Sequence, residues 1–586
     1  MISVSVVLLL FVQFASTFLV PDGLQIVHTQ YGEIHGQLSS ATFDGMQYQV
    51  KTFLGIPYAE PPIGNFRFRK PVPKLNFPTP FKASAYGPIC PQDALDKSVP
   101  QSEDCLFLNV FVPTRHGAGV LPKPVMIWIH GGGFYAGSAN RFKAEVLSAF
   151  SDVVVVTINY RLGPLGFFTT KDNEALGNYG MWDQHLAFQW VKGNIASFGG
   201  DVENITIFGE SAGGASVVFQ TLYPGNRDVF QRAISESGTA AGPSVSHGNT
   251  VYKKSIEFAA SVGCSGPNHS TVVSCMRHKS SDEIKKAVQV FMPKNYDEVH
   301  PNWVPVYDND FVVSETQNIL REASKSSPAF SSYHNIGLLI GMNNYDGALF
   351  LPFWMSQFNI TSPKDYRVSQ AQFKYVFMPR LAELILKETA TNLVRDAIIQ
   401  EYTDWDHPDD DTVRLERLVT MATDCSYYAP TVLTANSHAN DMSNTYVYRF
   451  HAAPPTRLLP LPPSLDLAGN SNHADDIFFL FGFNDLYTDL FYPNPAKAPK
   501  PSSDQIKLSK ALMTMWSNFA KSGNPNKPMN VKSLYDVEWQ PYDVKHQNYL
   551  DISFNMNPQS MKTRLASRAD HFWNTVLPAM QKASKH

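Results

Sequence analysis

A chain of 586 residues with 44% hydrophobic, 12% aromatic and 17% charged residues has ample material for a large buried core. A formal net charge of -4, with no basic run, excludes the electrostatic footprint of a nucleic-acid-binding protein. No repeat period appears, and the length alone would suggest several domains.

The first 17 residues are apolar, dominated by Val6 to Val12, with small residues at Ala15 and Ser16. They resemble a secretory signal peptide lacking Lys or Arg at its start, cleaved near Ser16 or Thr17. The competing reading is a signal anchor, since apolar character resumes up to Val20 before Pro21 stops it. No later stretch has the apolar length of a membrane span, so no transmembrane anchor is expected and the route is secreted or lumenal. Five cysteines suit that route. Cys90 with Cys105, and Cys264 with Cys275, flank short polar loops and make the simplest local pairing, leaving Cys425 as a buried free thiol, with an intermolecular bridge as the lesser reading. Asn204, Asn268 and Asn359 begin sequons. Asn268 and Asn359 sit in polar surroundings, whereas Asn204 opens an apolar strand and competes as a plain turn residue.

Apolar runs at Val125–Ile129, Val153–Ile158, Ile205–Phe208 and Leu338–Ile340 read as strands buried on both faces. Helical patterns such as Met181–Val191 fall between them, which predicts a mostly parallel α/β sheet flanked by helices. The Pro-rich stretches Pro454–Pro463 and Pro493–Pro501 read as long surface loops. With no flexible linker, residues 18–586 are expected to form one domain.

The strand Ile205–Phe208 runs into Gly209-Glu-Ser-Ala-Gly213 and then a helical apolar run. A bare G-x-S-x-G is a weak signal; between a strand and a helix it is a nucleophile elbow, with Ser211 lifted above the sheet edge. Small flanking residues are needed because the strand and helix approach closely there. His130-Gly-Gly-Gly-Phe134 directly follows another strand and matches the loop that supplies oxyanion donors. The N–H groups of Gly132, Gly133 and Ala212 are therefore assigned to an oxyanion hole.

These motifs, with Phe53–Pro62, Glu103–Asn109, Asn159–Gly163, Phe198–Asp201, Ser237–Ala240 and Trp516–Ala520, resemble the type B carboxylesterase family over nearly all of the mature chain. That family includes carboxylesterases, cholinesterases, bile-salt-activated lipase and the non-catalytic neuroligins. The resemblance implies an α/β-hydrolase fold with long surface loops around a gorge. It also implies a triad in the order nucleophile, acid, histidine. Asp346 follows the strand at Leu338–Met342 and stands where the family places its acid, often Glu. The shorter Asp requires a closer histidine or a shifted loop. His473, in a polar loop before Ile477–Phe481, fits the family's His-x-x-Glu/Asp pattern better than its rival His451. Glu210 is read as a source of negative potential beside the nucleophile or as a filler of the elbow. The implied chemistry is ester hydrolysis through an acyl-enzyme, with no metal or organic cofactor required and a small-molecule or lipid ester as substrate.

The loop between Cys90 and Cys105 has no aromatic residue, which argues against choline esters. Trp303–Phe311 and Phe350–Trp354 are read equally as pocket wall or core. A carboxylesterase acting on aliphatic or aryl esters is expected. A lipase, a non-catalytic adhesion protein and a stoichiometric binder of hydrophobic esters are the alternatives.

Overall fold

The computed structural model describes residues 23–93, 98–114, 121–242, 248–295, 303–313, 315–321, 330, 333–386, 391–439, 444–466, 469–483 and 497–583. The leader at residues 1–17 and the first part of Pro493–Pro501 lie outside the described residues.

The apolar runs assemble into a 13-stranded sheet. Its first edge is built from Leu24–Thr29 (β1), Gly32–Phe43 (β2), Met46–Pro57 (β3) and Phe107–Pro113 (β5), paired antiparallel, with Phe81–Lys82 (β4) beside β2. The centre continues through Val154–Ile158 (β7), Lys123–Ile129 (β6), Gly200–Glu210 (β8), Arg232–Glu236 (β9), Gly337–Asn343 (β10), Thr445–Phe450 (β11) and Asn548–Ile552 (β12). Each neighbouring pair in this central series is parallel. Met561–Thr563 (β13) closes the far edge antiparallel to β12.

Parallel strands must be covered on both faces, and successive side chains supply the two covers by pointing to opposite sides. Along β6, Val125, Ile127 and Ile129 join one apolar layer while Met126 and Trp128 join the other. Along β10, Leu338, Ile340 and Met342 face one layer and Leu339 the other. Trp128 locks the second layer against Phe142, Phe208 and Phe481, with ring centroids 4.9, 4.8 and 5.1 Å away.

Two buried ion pairs tie the loops to this core. Arg67 grips Glu103 through Nε and Nη2 at 2.7 and 2.5 Å, and its Nη1 donates to the Met276 carbonyl at 2.6 Å. Arg161 grips Asp183 at 2.7 Å through each of two nitrogens. Removing one partner would strand a buried charge, a loss of about 3–5 kcal/mol.

The bridges Cys90–Cys105 and Cys264–Cys275 both form, and Cys425 is a buried free thiol. Cys275 lies on the helix His269–His278 instead of in a loop, because Asn268 caps that helix by accepting from the Thr271 N–H at 2.9 Å. The nucleophile strand also starts earlier than the apolar run suggests. β8 begins at Gly200, whose pairing with Lys123 carries polar, partly exposed residues into the sheet edge before the buried run starts. Asn204 is thus inside the strand. No helix among the described residues is long and apolar enough to cross a membrane.

Candidate active site

The chemistry-bearing residues gather where parallel strands end. The carboxyl ends of β6, β8, β9 and β10 release His130, Ser211, Ser237 and, three residues on, Asp346. Ligands of open α/β sheets bind at this edge, because loops there can converge while the strands hold their roots.

Ser211 sits between β8 and the helix Ala212–Leu222 with φ 59° and ψ -123°. A non-glycine residue at positive φ is strained by about 1–3 kcal/mol, so the surroundings must hold it there. Its N–H donates to the Glu236 carbonyl and its carbonyl accepts from the Ala215 N–H, both at 2.9 Å. The neighbours leave no room for side chains: a Cβ on Gly209 would lie 2.5 Å from the Ile129 carbonyl oxygen, and one on Gly213 2.0 Å from it. Ser211 stays partly exposed while the residues around it, 205–210 and 212–222, are buried.

The glycine loop after His130 packs beside this turn. Gly132 and Gly133 take φ of 104° and 59°, conformations natural only to glycine, and the Gly132 carbonyl accepts from the N–H groups of Tyr135 and Ala136. The N–H groups of Gly132, Gly133 and Ala212 donate to no described residue. Gln92, two residues past Cys90, clamps the loop by bonding the N–H and carbonyl of Gly137, each at 2.8 Å. His130 is scaffold: it stacks on Tyr160 with centroids 4.5 Å apart, and burial pushes its pKa down to about 4.

Asp346 and His473 lie side by side. Asp346 is fully buried, and its Oδ1 lies 2.8 Å from His473 Nδ1. Its Oδ2 accepts from the Ser237 hydroxyl at 2.8 Å and from the Asn343 N–H at 2.9 Å. The shorter acid is accommodated because the two loops are stitched together: Asn344 Oδ1 accepts from the N–H and hydroxyl of Ser471 at 2.7 and 2.9 Å. The rival His451 lies past β11, its pKa lowered by burial and then by the charge of Arg449.

Glu210 is more than a filler. Its Oε1 faces His473 Nε2 at 3.1 Å, although neither atom completes a hydrogen bond among the described residues. Burial disfavours the imidazolium, but the charge of Glu210 and then the bond to Asp346 outweigh it and raise His473 to about 9. Glu210 itself is raised to about 8, chiefly by burial, with His473 opposing the rise. Two further buried acids stand behind this pair. Glu236 accepts from Trp516 Nε1 at 2.8 Å, and Asp476 accepts from Asn343 Nδ2 and the Tyr448 hydroxyl, both at 3.1 Å. Burial, then Asp476, pushes Glu236 well up; burial, then Asp346, pushes Asp476 up to about 6. The motifs containing Ser237 and Asp476 are visible in the sequence, but nothing local in them reports what those side chains touch.

The aromatic stretches pack as core. Trp303 lies against Phe258 and Phe291, and Trp354 against Phe350 and Phe377. Of the sequons, Asn268 and Asn359 are exposed. Asn204 is half-buried, its Nδ2 donating to the Lys521 carbonyl at 3.3 Å and its Oδ1 accepting from Arg232.

A parallel sheet with an elbow serine, a glycine loop and an acid–histidine pair at one edge is the architecture of α/β-hydrolases. The chain belongs to the Carboxylesterase family, whose match spans residues 24–573. It is 33% identical to neuroligin-2 of Mus musculus over 604 residues, covering 94% of this chain and 68% of that protein. It is 32% identical to neuroligin-3 of Mus musculus, again over 94% and 69% of the two chains. Bile salt-activated lipase of Bos taurus is 32% identical over 571 residues, covering 94% of this chain and 88% of the lipase.

Proposed function

We propose that this protein is a carboxylic ester hydrolase in which Ser211 is the nucleophile, His473 the general base and Asp346 the acid that orients it. The observation that carries this reading is the 2.8 Å contact of Asp346 Oδ1 with His473 Nδ1, beside a serine held at φ 59°. With Nδ1 engaged, Nε2 is the nitrogen left to take the Ser211 proton as Oγ attacks the ester carbonyl. The unspent N–H groups of Gly132, Gly133 and Ala212 stabilise the developing oxyanion. His473 then protonates the departing alcohol, and a water it activates releases the acid from Ser211. Ser211 Oγ and Nε2 form no hydrogen bond here; nucleophile–base contacts of this kind commonly tighten in the Michaelis complex.

Hydrolysis of short- and medium-chain p-nitrophenyl esters tests the reading. Turnover by the folded wild type and not by Ser211→Ala is expected; absence of turnover from folded wild type would sink it. The chain-length profile sizes the acyl pocket, and similarity to a lipase supports including long-chain acylglycerols among the substrates.

Glu210 sets the pH dependence. Only neutral His473 accepts a proton, so kcat/KM rises with pH through the raised histidine midpoint of about 9. In Glu210→Gln the neighbouring charge is gone and the imidazolium is less favoured, so the midpoint is expected to fall by about one to three units. A pH–rate profile superimposable on wild type would refute this role for Glu210.

A second reading is favoured by the neuroligin similarity: a non-catalytic binding protein on the same scaffold. Folded protein that lacks turnover but binds a protein partner would support it. We propose further that residues 18–586 form one domain, secreted or lumenal after loss of residues 1–17, with glycans on the exposed Asn268 and Asn359. The engaged Asn204 amide supports a structural role there, so mass loss on deglycosylation is expected to map to two sites and not to Asn204.

A further inference from the structure

The helical segment behind the histidine contains an irregularity. The helix Asp411–Thr423 passes into a π-helical turn, Asp424–Tyr428, before resuming as Ala429–His438. Such turns insert an extra residue, lose good backbone geometry and recur at functional sites. This one is docked against the acid's own loop: the Gly347 N–H donates to Thr423 Oγ1 at 3.0 Å, and a Cβ on Gly347 would lie 2.4 Å from the Thr423 backbone nitrogen. The turn places Tyr427 with its ring centroid 5.2 Å from the His473 imidazole, the planes inclined at 48°. Both residues are buried, at 8% and 5% exposure.

We propose that Tyr427 is a positioning residue: its tilted ring packs on the imidazole of His473, holding the plane in which Nδ1 meets Asp346 and Nε2 faces Glu210, and its π electrons favour the imidazolium formed as the proton moves. This rests on the hydrolase reading for its catalytic consequence, but the ring contact itself does not. The other groups facing His473 are Asp346 after β10, Glu210 at the end of β8 and Asp476 in the first turn of the helix Asp475–Leu480. All three are carboxylates held by other elements, so replacing Tyr427 leaves them in place. An aromatic face toward a cation is a modest attraction that grows when water is excluded. Tyr427→Leu and Tyr427→Met keep an apolar side chain and remove both the ring and its hydroxyl; Tyr427→Phe keeps the ring and removes only the hydroxyl, so the comparison with Phe isolates the ring.

The test measures p-nitrophenyl ester turnover against pH for the wild type and the three variants, together with the pH at which the downfield Nδ1–H resonance of His473 titrates. Leu and Met are expected to lower kcat by about tenfold and to move both midpoints to lower pH by about half a unit, while Phe stays within about twofold of wild type. Two apolar variants of different shape guard against one that folds poorly. An unchanged histidine midpoint in folded Leu and Met variants would overturn the proposal, as would Phe behaving like Leu, which would assign the role to the hydroxyl. A titration shift in a protein without turnover would overturn the hydrolase reading and uphold the ring contact.

Discussion

Asp346→Asn is expected to lower kcat/KM by about four orders of magnitude while leaving the fold intact. The reason lies in the asymmetry of the carboxylate. Oδ2 receives two donors, the Ser237 hydroxyl and the Asn343 N–H, so the oxygen of an asparagine amide must occupy that position. The amide nitrogen is then forced to the Oδ1 position, where it donates to His473 Nδ1 instead of accepting from it. The histidine proton is driven to Nε2, the nitrogen that must take the serine proton, and the base is lost as a tautomer. Steady-state kinetics and thermal unfolding of the same preparation check this. A variant within about tenfold of wild type would show that Asp346 does not set the histidine tautomer.

The second large effect is structural. Gly213→Ala is expected to yield little folded protein, a loss beyond about 4 kcal/mol. The added Cβ would stand 2.0 Å from the Ile129 carbonyl oxygen and within 3.0 Å of the His130 carbonyl carbon, both backbone atoms that cannot swing aside. Relief would require separating the helix Ala212–Leu222 from the end of β6, and so Ser211 from the glycine loop after His130. Gly193→Ala is the matched control. That glycine lies in the helix Tyr179–Asn194, where a Cβ would meet only the Gln30 amide nitrogen at 3.1 Å. There alanine is expected to be neutral or to stabilise by about 0.5–1 kcal/mol, read from the yield of folded protein and the unfolding temperature.

What the sequence made legible is what is encoded locally. The elbow announces itself because a strand, a G-x-S-x-G and a helix are contiguous, and Ser211 takes the strained conformation that pattern demands. The glycines after His130 work the same way, since positive φ at Gly132 and Gly133 is a property of single residues. The acid and histidine needed the family resemblance in addition, being 127 residues apart in the chain. Lateral contacts were not legible. Ser237 reaches Asp346 only because β9 and β10 are neighbours in a fixed parallel register, and Glu210 reaches His473 only because β8 and the loop after β11 end at the same edge. Tyr427 depends on one extra residue in a helical turn, which no hydrophobic period announces. Asn204 shows the same limit: its sequon is complete, but the neighbouring Lys521 and Arg232 that engage its amide come from distant chain positions.

The central claim is that Ser211 is an activated nucleophile. Covalent labelling of the folded, purified protein with a fluorophosphonate, read by intact mass and peptide mapping, reads this chemistry at the serine itself. Reaction would form one phosphorus–oxygen bond at Ser211 Oγ with loss of fluoride. A single adduct on the peptide carrying Ser211 is expected, slowed strongly in His473→Ala and absent in Ser211→Ala. No adduct on the folded wild type, or an adduct on another residue that persists in Ser211→Ala, would contradict it.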